Sequence, residues 1–599
     1  MSDAKYFVLK LNLNPSNNEE GEKNIWFDGY MNCEDRFYIS DSIDLPDITP
    51  TEVKDATGEF LLVRQHVNPY GEKSFEITTD LFGFYSCFYF QRDGELYLSN
   101  SFKALRIYLE KQLGLTCNLN KEYLVPLLIS RYTLFSYPYA LQTALKEIKI
   151  LPANKNMMIS ASAGMEFVDK FEIDDDKPYE ELLVEGLQSC KKRLAAFQNF
   201  FKSNFKKLYM SGGKDSRATL AVLLSALSNR DLFLHSNNPA RMNKDVRAHM
   251  QQDLTIANKI ALLLGLQVCS KEPVLDLSQN AVGFHESLED WQNDFSNVRF
   301  NFTPSFYTYE YEGSNLKIQF RGAGGEIYRA YWSKVIRGFE TLSKRIKNTE
   351  SEVSNDCSLV FNSLVQSGIV DSDLYSSARD IFVDIVKEMP GKNFDQKIDQ
   401  HYNFLRHRFH FAHGIRGLNT GELMYLPLID RRLYLASRKL NDADKASGKM
   451  VFDIVDRTNP YLNLIEYDSS VWDESMLERS RTLKSSVHIK LPNFVMGDQH
   501  KPAMITADCD VQDEVVSDNA HVENAKLYDR TLALKQRLAD NLIYLKSHSD
   551  TKVLFNDRLL SLWDDRIKKN YSINMLVGKT ESIRDAIDNI KIVYRSFEF

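Results

Sequence analysis

Up to about residue 175 the chain alternates apolar and polar positions in short runs, the period of half-buried strands. Such runs cover Lys5 to Leu13, Glu59 to His66, Ser74 to Thr79, Tyr85 to Gln91 and Glu95 to Ser99. The last two are joined by Arg92-Asp93-Gly94, a hairpin signal. Helical periodicity follows at Phe102 to Gln112 and Lys121 to Ser130, and Leu151-Pro152-Ala153-Asn154 turns into a strand, Asn156 to Ser160. The acidic stretch Asp174-Asp175-Asp176, closed by Lys177-Pro178, reads as a linker. Beyond it long helices alternate with short apolar strands, which predicts a parallel sheet covered on both faces. The expected fold class is therefore α/β: a strand-rich first domain over residues 1–173, then a doubly wound parallel-sheet domain over 178–599. Residues 520–599 have the texture of amphipathic helix, and Arg530 to Lys546 reads as packing or partner surface.

One junction in the second half carries chemistry. Phe205 to Met210 predicts a short strand and Ala218 to Leu227 an apolar helix, with Ser211-Gly212-Gly213-Lys214-Asp215-Ser216 between them. Two glycines let the backbone curl and turn successive N–H groups toward one anion, and the helix that follows adds its positive end. A carboxylate beside phosphates is repelled by them unless a divalent cation intervenes, so Asp215 reads as a magnesium ligand. The pattern Ser-Gly-Gly-x-Asp-Ser arises by chance in roughly one chain in a thousand of this length.

This loop resembles the pyrophosphate loop of the N-type ATP pyrophosphatases, which cleave ATP between its α and β phosphates. Two stretches of the first half, Thr79-Asp80-Leu81-Phe82-Gly83 and Gly94-Glu95-Leu96 through Ser101-Phe102-Lys103-Ala104-Leu105, resemble the glutaminase half of asparagine synthetase, an Ntn sandwich. The Ile150-Leu151-Pro152-Ala153 turn resembles that family's proline-bearing turn. A glutaminase of this kind needs a cysteine after Met1, whereas this chain has Ser2 and lacks the glutamine-binding motifs. The resemblance thus implies a degenerate first domain kept as scaffold, dimer surface or substrate-recognition element. In character it is nearest to the β-lactam synthetases and lasso-peptide macrolactam synthetases.

The same resemblance distributes roles over the second half. Asp253 to Gly265 resembles a family helix whose alanines pack on the sheet, with Asp253 placed in a structural role. Arg321-Gly322-Ala323-Gly324-Gly325-Glu326 resembles the S-G-E-G-S-D-E turn, so Glu326 shares magnesium with Asp215, and Gly322 and Gly324 join Ser211 to Ser216 around the nucleotide. Ala323 stands where the family has a glutamate or tyrosine that handles the amine, so the base comes from elsewhere or from the substrate, or is unnecessary because the amine arrives neutral. His407, His410 and His413 recur at i, i+3 and i+6, and His410 is the candidate base or substrate contact, while Arg408 is suited to a carboxylate or phosphate. Lys449, after Ser447-Gly448, and Lys484 are the candidate lysines that stabilise charge on the leaving group and in the transition state.

Composition narrows the partners. A net charge of −8 and a pI near 5.9 supply no basic field for nucleic acid. The seven cysteines are scattered and include no C-x-x-C pair, so reduced packing thiols are expected. No run of about 18 apolar residues occurs, so neither a membrane span nor a secretory leader is expected, and the reading is cytoplasmic. Three functions remain. The first is an amide synthetase that uses ATP and Mg2+ to join a carboxylate to an amine of a small molecule or precursor peptide. The second is an asparagine synthetase-like enzyme fed by free ammonia, and the third a silent binding or scaffold protein.

Overall fold

The computed structural model describes residues 6–13, 25–40, 48–69, 72–171, 176–202, 204, 206–237, 239, 244–269, 284–300, 316–411, 422–468, 472, 474–480, 516–568 and 573–587. Ser2, His413, Lys484 and Asp174 to Asp175 lie outside these residues. The chain is mixed α/β, with two antiparallel sheets in the first half and one parallel sheet in the second.

The first half holds strands β1 (Val8–Asn12), β2 (Ile25–Asn32), β3 (Phe37–Ile39), β4 (Thr57–Val67), β5 (Lys73–Thr79), β6 (Phe88–Arg92), β7 (Glu95–Ser99), β8 (Lys149–Ile150), β9 (Lys155–Ser160) and β10 (Gly164–Asp169). They form a four-stranded sheet in the order β1-β7-β6-β8 and a six-stranded sheet in the order β10-β9-β5-β4-β2-β3. Leu11, Leu96 and Leu98 from the first sheet pack with Leu61, Val63, Ile77, Met157 and Ile159 from the second. The β6–β7 hairpin turns through Asp93 (φ 51°) and Gly94 (φ 79°), the paired positive φ that the Asp-Gly signal predicts. Asp80, buried, accepts the amides of Phe82, Phe84 and Tyr85, and buried Lys170 donates to the carbonyls of Thr79, Asp80 and Ala153. The Asp-Leu-Phe-Gly stretch is thus a turn pinned by its own carboxylate.

The second half holds β11 (Lys206–Tyr209), β12 (Phe233–His235), β13 (Gln267–Cys269), β14 (Lys317–Phe320) and β15 (Glu422–Tyr425), all parallel, in the order β13-β12-β11-β14-β15. The order reverses at β11, so a crevice opens at its carboxyl end, between β11 and β14. Alternation divides the sheet. Leu208, Leu234, Phe320 and Tyr425 are buried, and Phe197 of the helix Tyr179–Phe200 packs on Phe320 and Tyr425. The opposite alternation presents Lys207, Tyr209 and Gln319, followed by Arg321 beyond the end of β14, a polar series where a fully covered parallel sheet carries aliphatic residues.

The halves share one apolar core that runs from Tyr30 to Ala586, so the boundary expected near residue 175 divides folds rather than cores. The helix Ile573–Ile587 packs on the helix Phe102–Lys111, where Arg106 meets Asp585 with both side chains buried. Strands β2, β3 and β10 carry weak alternation and were not legible in the sequence. Cys33, Cys87, Cys117, Cys190 and Cys357 are free thiols. Among the described residues no helix is long and apolar enough to cross a membrane.

Arg193 and Asp430 join the helix Tyr179–Phe200 to the end of β15, with 2.6 Å between their charged atoms and 1% exposure on each side chain. Asp430 also caps the helix Arg431–Lys439 through Leu433 N–H. Removing one partner strands the other charge away from water. Arg193→Met should lower stability by about 3–5 kcal/mol in urea unfolding, whereas a loss below about 1 kcal/mol would show that water reaches Asp430.

Candidate active site

Strand β11 delivers Met210 to Gly213 into the helix Lys214–Leu224, whose N-cap is Gly213 in extended conformation with no side-chain cap. The first-turn amides of this helix therefore have neither an intrahelical partner nor a capping side chain. The loop itself is tied down from within. Gly212 N–H donates to Asp253 Oδ1 at 2.7 Å, Asp468 N–H donates to Gly212 O at 3.1 Å, and Ser216 Oγ donates to Ser211 O at 3.0 Å. Gly213 N–H reaches Ser211 Oγ at 3.3 Å. This corrects one expectation: the Gly212 amide turns inward and is not offered to an anion, because Asp253 holds it. Asp253 thus has the structural role expected of it. The anion donors that remain are the helix N-terminus and the weakly engaged Gly213 amide.

Lys214 lies with its ammonium 3.9 Å from the Trp472 ring centroid, and burial together with Arg329 and Lys334 brings its pKa down to about 8. It is the lysine that acts on Asp215.

The turn after β14 closes on this loop. A Cβ on Gly322 would lie 2.5 Å from Ser216 N, and Gly324 takes φ 111°, so glycine is required at both positions for different reasons. The turn brings Glu326 into the field of Asp215. Burial first, and Asp215's charge second, push the Glu326 carboxyl up to about 7. Asp215 is raised by burial too, although Arg329 opposes the shift. Asp215 Oδ2 accepts from Arg329 Nη2, while Asp215 Oδ1 is buried with no hydrogen-bond partner. Glu326 Oε2 accepts Gly324 N–H at 3.0 Å. The two expected metal ligands are therefore neighbours in the electrostatic sense, with one buried carboxylate oxygen left unpaired. Two hard oxygens from adjacent strand ends, one of them unsatisfied, fit a divalent cation such as Mg2+.

The helix Phe394–His401 continues through a π-helical stretch, Tyr402–Arg406, into His407–Phe411 across this edge of the sheet. Such π turns re-aim side chains and recur at functional sites. His407 is fully buried, and its Nε2 lies 3.8 Å from Glu326 Oε2. Burial first, and then His410 and Arg406, hold its pKa well below the usual value. His410 Nδ1 pairs with Tyr137 OH at 2.9 Å, and burial together with Arg406, Arg299 and Arg321 lowers its pKa to about 3. Of the two roles expected of His410, base or substrate contact, so low a pKa favours the second, since at neutral pH so weak a base takes up little proton.

The other expected residues engage other partners. Arg408 is buried against the first half, where it donates to Leu151 O at 2.9 Å and joins the halves, while its Nε and Nη2 have no hydrogen-bond partner. Lys449 pairs with Asp453 and lies 4.6 Å from the Tyr179 ring centroid. Lys484 lies outside the described residues. Ala323 is buried and offers no proton acceptor. Sequence reasoning passed over Arg329, although its place three residues after Glu326 on one tight turn puts both on the same face.

Compared with known proteins, the chain matches no family model and no curated sequence.

A carboxyl whose pKa is raised by folding binds a proton that the unfolded chain releases, so its contribution to stability falls as pH climbs from about 4.5 to about 7. Glu326→Gln should remove that dependence. Its thermal midpoint should match wild type near pH 5 and exceed it near pH 8, and an unchanged difference between the two pH values would place Glu326 in contact with water.

Proposed function

We propose that the chain is an ATP-dependent amide synthetase, an asparagine synthetase-like enzyme that activates a substrate carboxylate as its acyl-adenylate. The observation that carries this is the placement of Asp215 and Glu326 at adjacent parallel strand ends, beside an uncapped helix N-terminus, with Asp215 Oδ1 unpaired. In this reading the first half is the degenerate glutaminase-like sandwich and the second the ATP-pyrophosphatase domain. Asp215 and Glu326 hold Mg2+, which when bound neutralises the phosphates of the nucleotide. Lys214 and the first-turn amides of the helix Lys214–Leu224 orient the phosphates. The substrate carboxylate oxygen attacks the α-phosphorus, forming the acyl–O–P bond as the Pα–O bond to the β-phosphate breaks and pyrophosphate leaves. A neutral amine then attacks the acyl carbon, forming the C–N bond as the C–O bond to AMP breaks, and its proton passes to water. An amine on the same molecule or on a peptide makes the second step efficient by proximity.

One observation favours the silent alternative. Arg329 already neutralises Asp215, the arrangement expected of a site that has exchanged its cation for a side chain.

Exchange of labelled pyrophosphate into ATP decides between these. Exchange should require Mg2+ and an added carboxylic acid, and Asp215→Ala should lower it by about 100-fold or more. Exchange absent across amino acids, hydroxy acids and short peptides would favour the silent reading. Where exchange occurs, amide formed on adding ammonium would indicate an ammonia-dependent enzyme, and its absence an amine-bearing substrate.

A further inference from the structure

A short segment far along the chain is fastened to the glycine loop and to the helix that follows it. It begins in the single turn Pro460–Leu464 and runs to Asp468. Arg217, fully buried in the first turn of the helix Lys214–Leu224, donates to the carbonyls of Leu462, Ile465 and Glu466. Its guanidinium carbon lies 3.5 Å from the ring centroid of Tyr467. Asp468 N–H donates to Gly212 O, and Gln252 Nε2, on the helix Lys244–Leu264, donates to Asp468 O at 2.6 Å. Trp472 belongs to the same assembly. Its Nε1 donates to Asn463 Oδ1 at 3.1 Å, and Tyr467 OH donates to the same oxygen at 2.8 Å.

Two side chains of this assembly engage the groups that an anion would use. A Cβ on Gly212 would lie 2.7 Å from Asp468 Cβ, and one on Gly213 would lie 3.8 Å from Asp468 Oδ2, so a carboxylate stands against both glycines of the loop. A phosphate drawn to the Gly213 amide and the helix N-terminus meets that charge at short range, where like charges repel. The second side chain is Trp472, whose ring centroid lies 3.9 Å from the Lys214 ammonium. A cation on an indole face is held by the ring and is turned from other partners. The loop thus presents its glycines to a carboxylate and its lysine to an indole.

We propose that Asn463 to Asp468, together with Trp472, forms an autoinhibitory strap: Asp468 is an internal anion at the glycine loop and Trp472 retains Lys214, so the strap shifts before a phosphate chain can seat. This rests on the reading of Ser211 to Ser216 as a phosphate site. Binding then couples to the strap through Lys214, because phosphate that draws the ammonium off the ring frees Trp472. Only the fraction of molecules with the strap displaced binds, so the strap lowers the apparent affinity for phosphate.

The test uses the full chain and inorganic tripolyphosphate, with magnesium chloride or with EDTA, at constant ionic strength. Asp468→Asn keeps the backbone tie to Gly212 and removes only the charge. By calorimetry it should bind tripolyphosphate at least about fivefold more tightly than wild type in both buffers. Tripolyphosphate should also change the tryptophan emission of the wild type, and that change should vanish in Trp472→Phe while binding persists. Equal affinities, or an emission unaltered at saturation, would overturn the strap. Weaker binding by Asp468→Asn in the magnesium buffer alone would overturn it as well, by making Asp468 a cation ligand with Asp253 and His249, whose ligand atoms and its own lie within 4.8 Å of one another. If Asp468→Asn does not fold, the emission decides alone. Tripolyphosphate bound by neither wild type nor variant would remove the phosphate site itself, and with it both the strap and the proposed function.

Discussion

Two carboxylates buried side by side cannot both ionise without a cation, and the carboxyl edge of the parallel sheet is arranged around that fact. Asp215 leans on Arg329, and Glu326 sits with its pKa near 7. The surrounding parts serve to keep these two groups where they are. Gly322 lets one turn close on the other, Asp253 anchors the loop from beneath, and His407 lies against Glu326.

Residues of the first half hold the helix that crosses the sheet edge. Arg408 fastens the histidine-bearing helix to Leu151 O, and buried His401 meets Tyr139 O at 2.8 Å. Tyr137, from the same region of the first half, holds His410 and stacks under Arg406. The helix that crosses the sheet edge is thus positioned by residues more than 250 places earlier in the chain. Tyr137 thus ties His410 and Arg406 to the first half together.

What was legible in the sequence followed local rules. The β6–β7 hairpin, the strand–glycine–helix junction at β11 and the polar turn after β14 are each encoded within about a dozen residues, so periodicity and turn chemistry expose them. Pairings between distant segments were not legible. Arg329 reads as one more surface cation until the turn sets it beside Asp215. Lys449 sits in a plausible motif, yet Asp453 four residues later and Tyr179 on another helix engage it. Gly212 reads as an anion donor because nothing local reveals that Asp253, 41 residues on, accepts its amide. Strand β15 is short and hidden between polar segments, and only its pairing with β14 defines it.

The buried meeting of Arg106 with Asp585 spans 479 positions. During synthesis the helix Phe102–Lys111 emerges from the ribosome long before its partner exists, and its arginine stays solvated through most of translation. The first half can form its sheets early, but it cannot bury Arg106 in its final setting until the helix Ile573–Ile587 has emerged. A long interval with an unfinished surface is when a nascent chain is most open to chaperones and to wrong partners. A salt bridge at the far end of the sequence therefore sets the timetable on which this protein becomes complete.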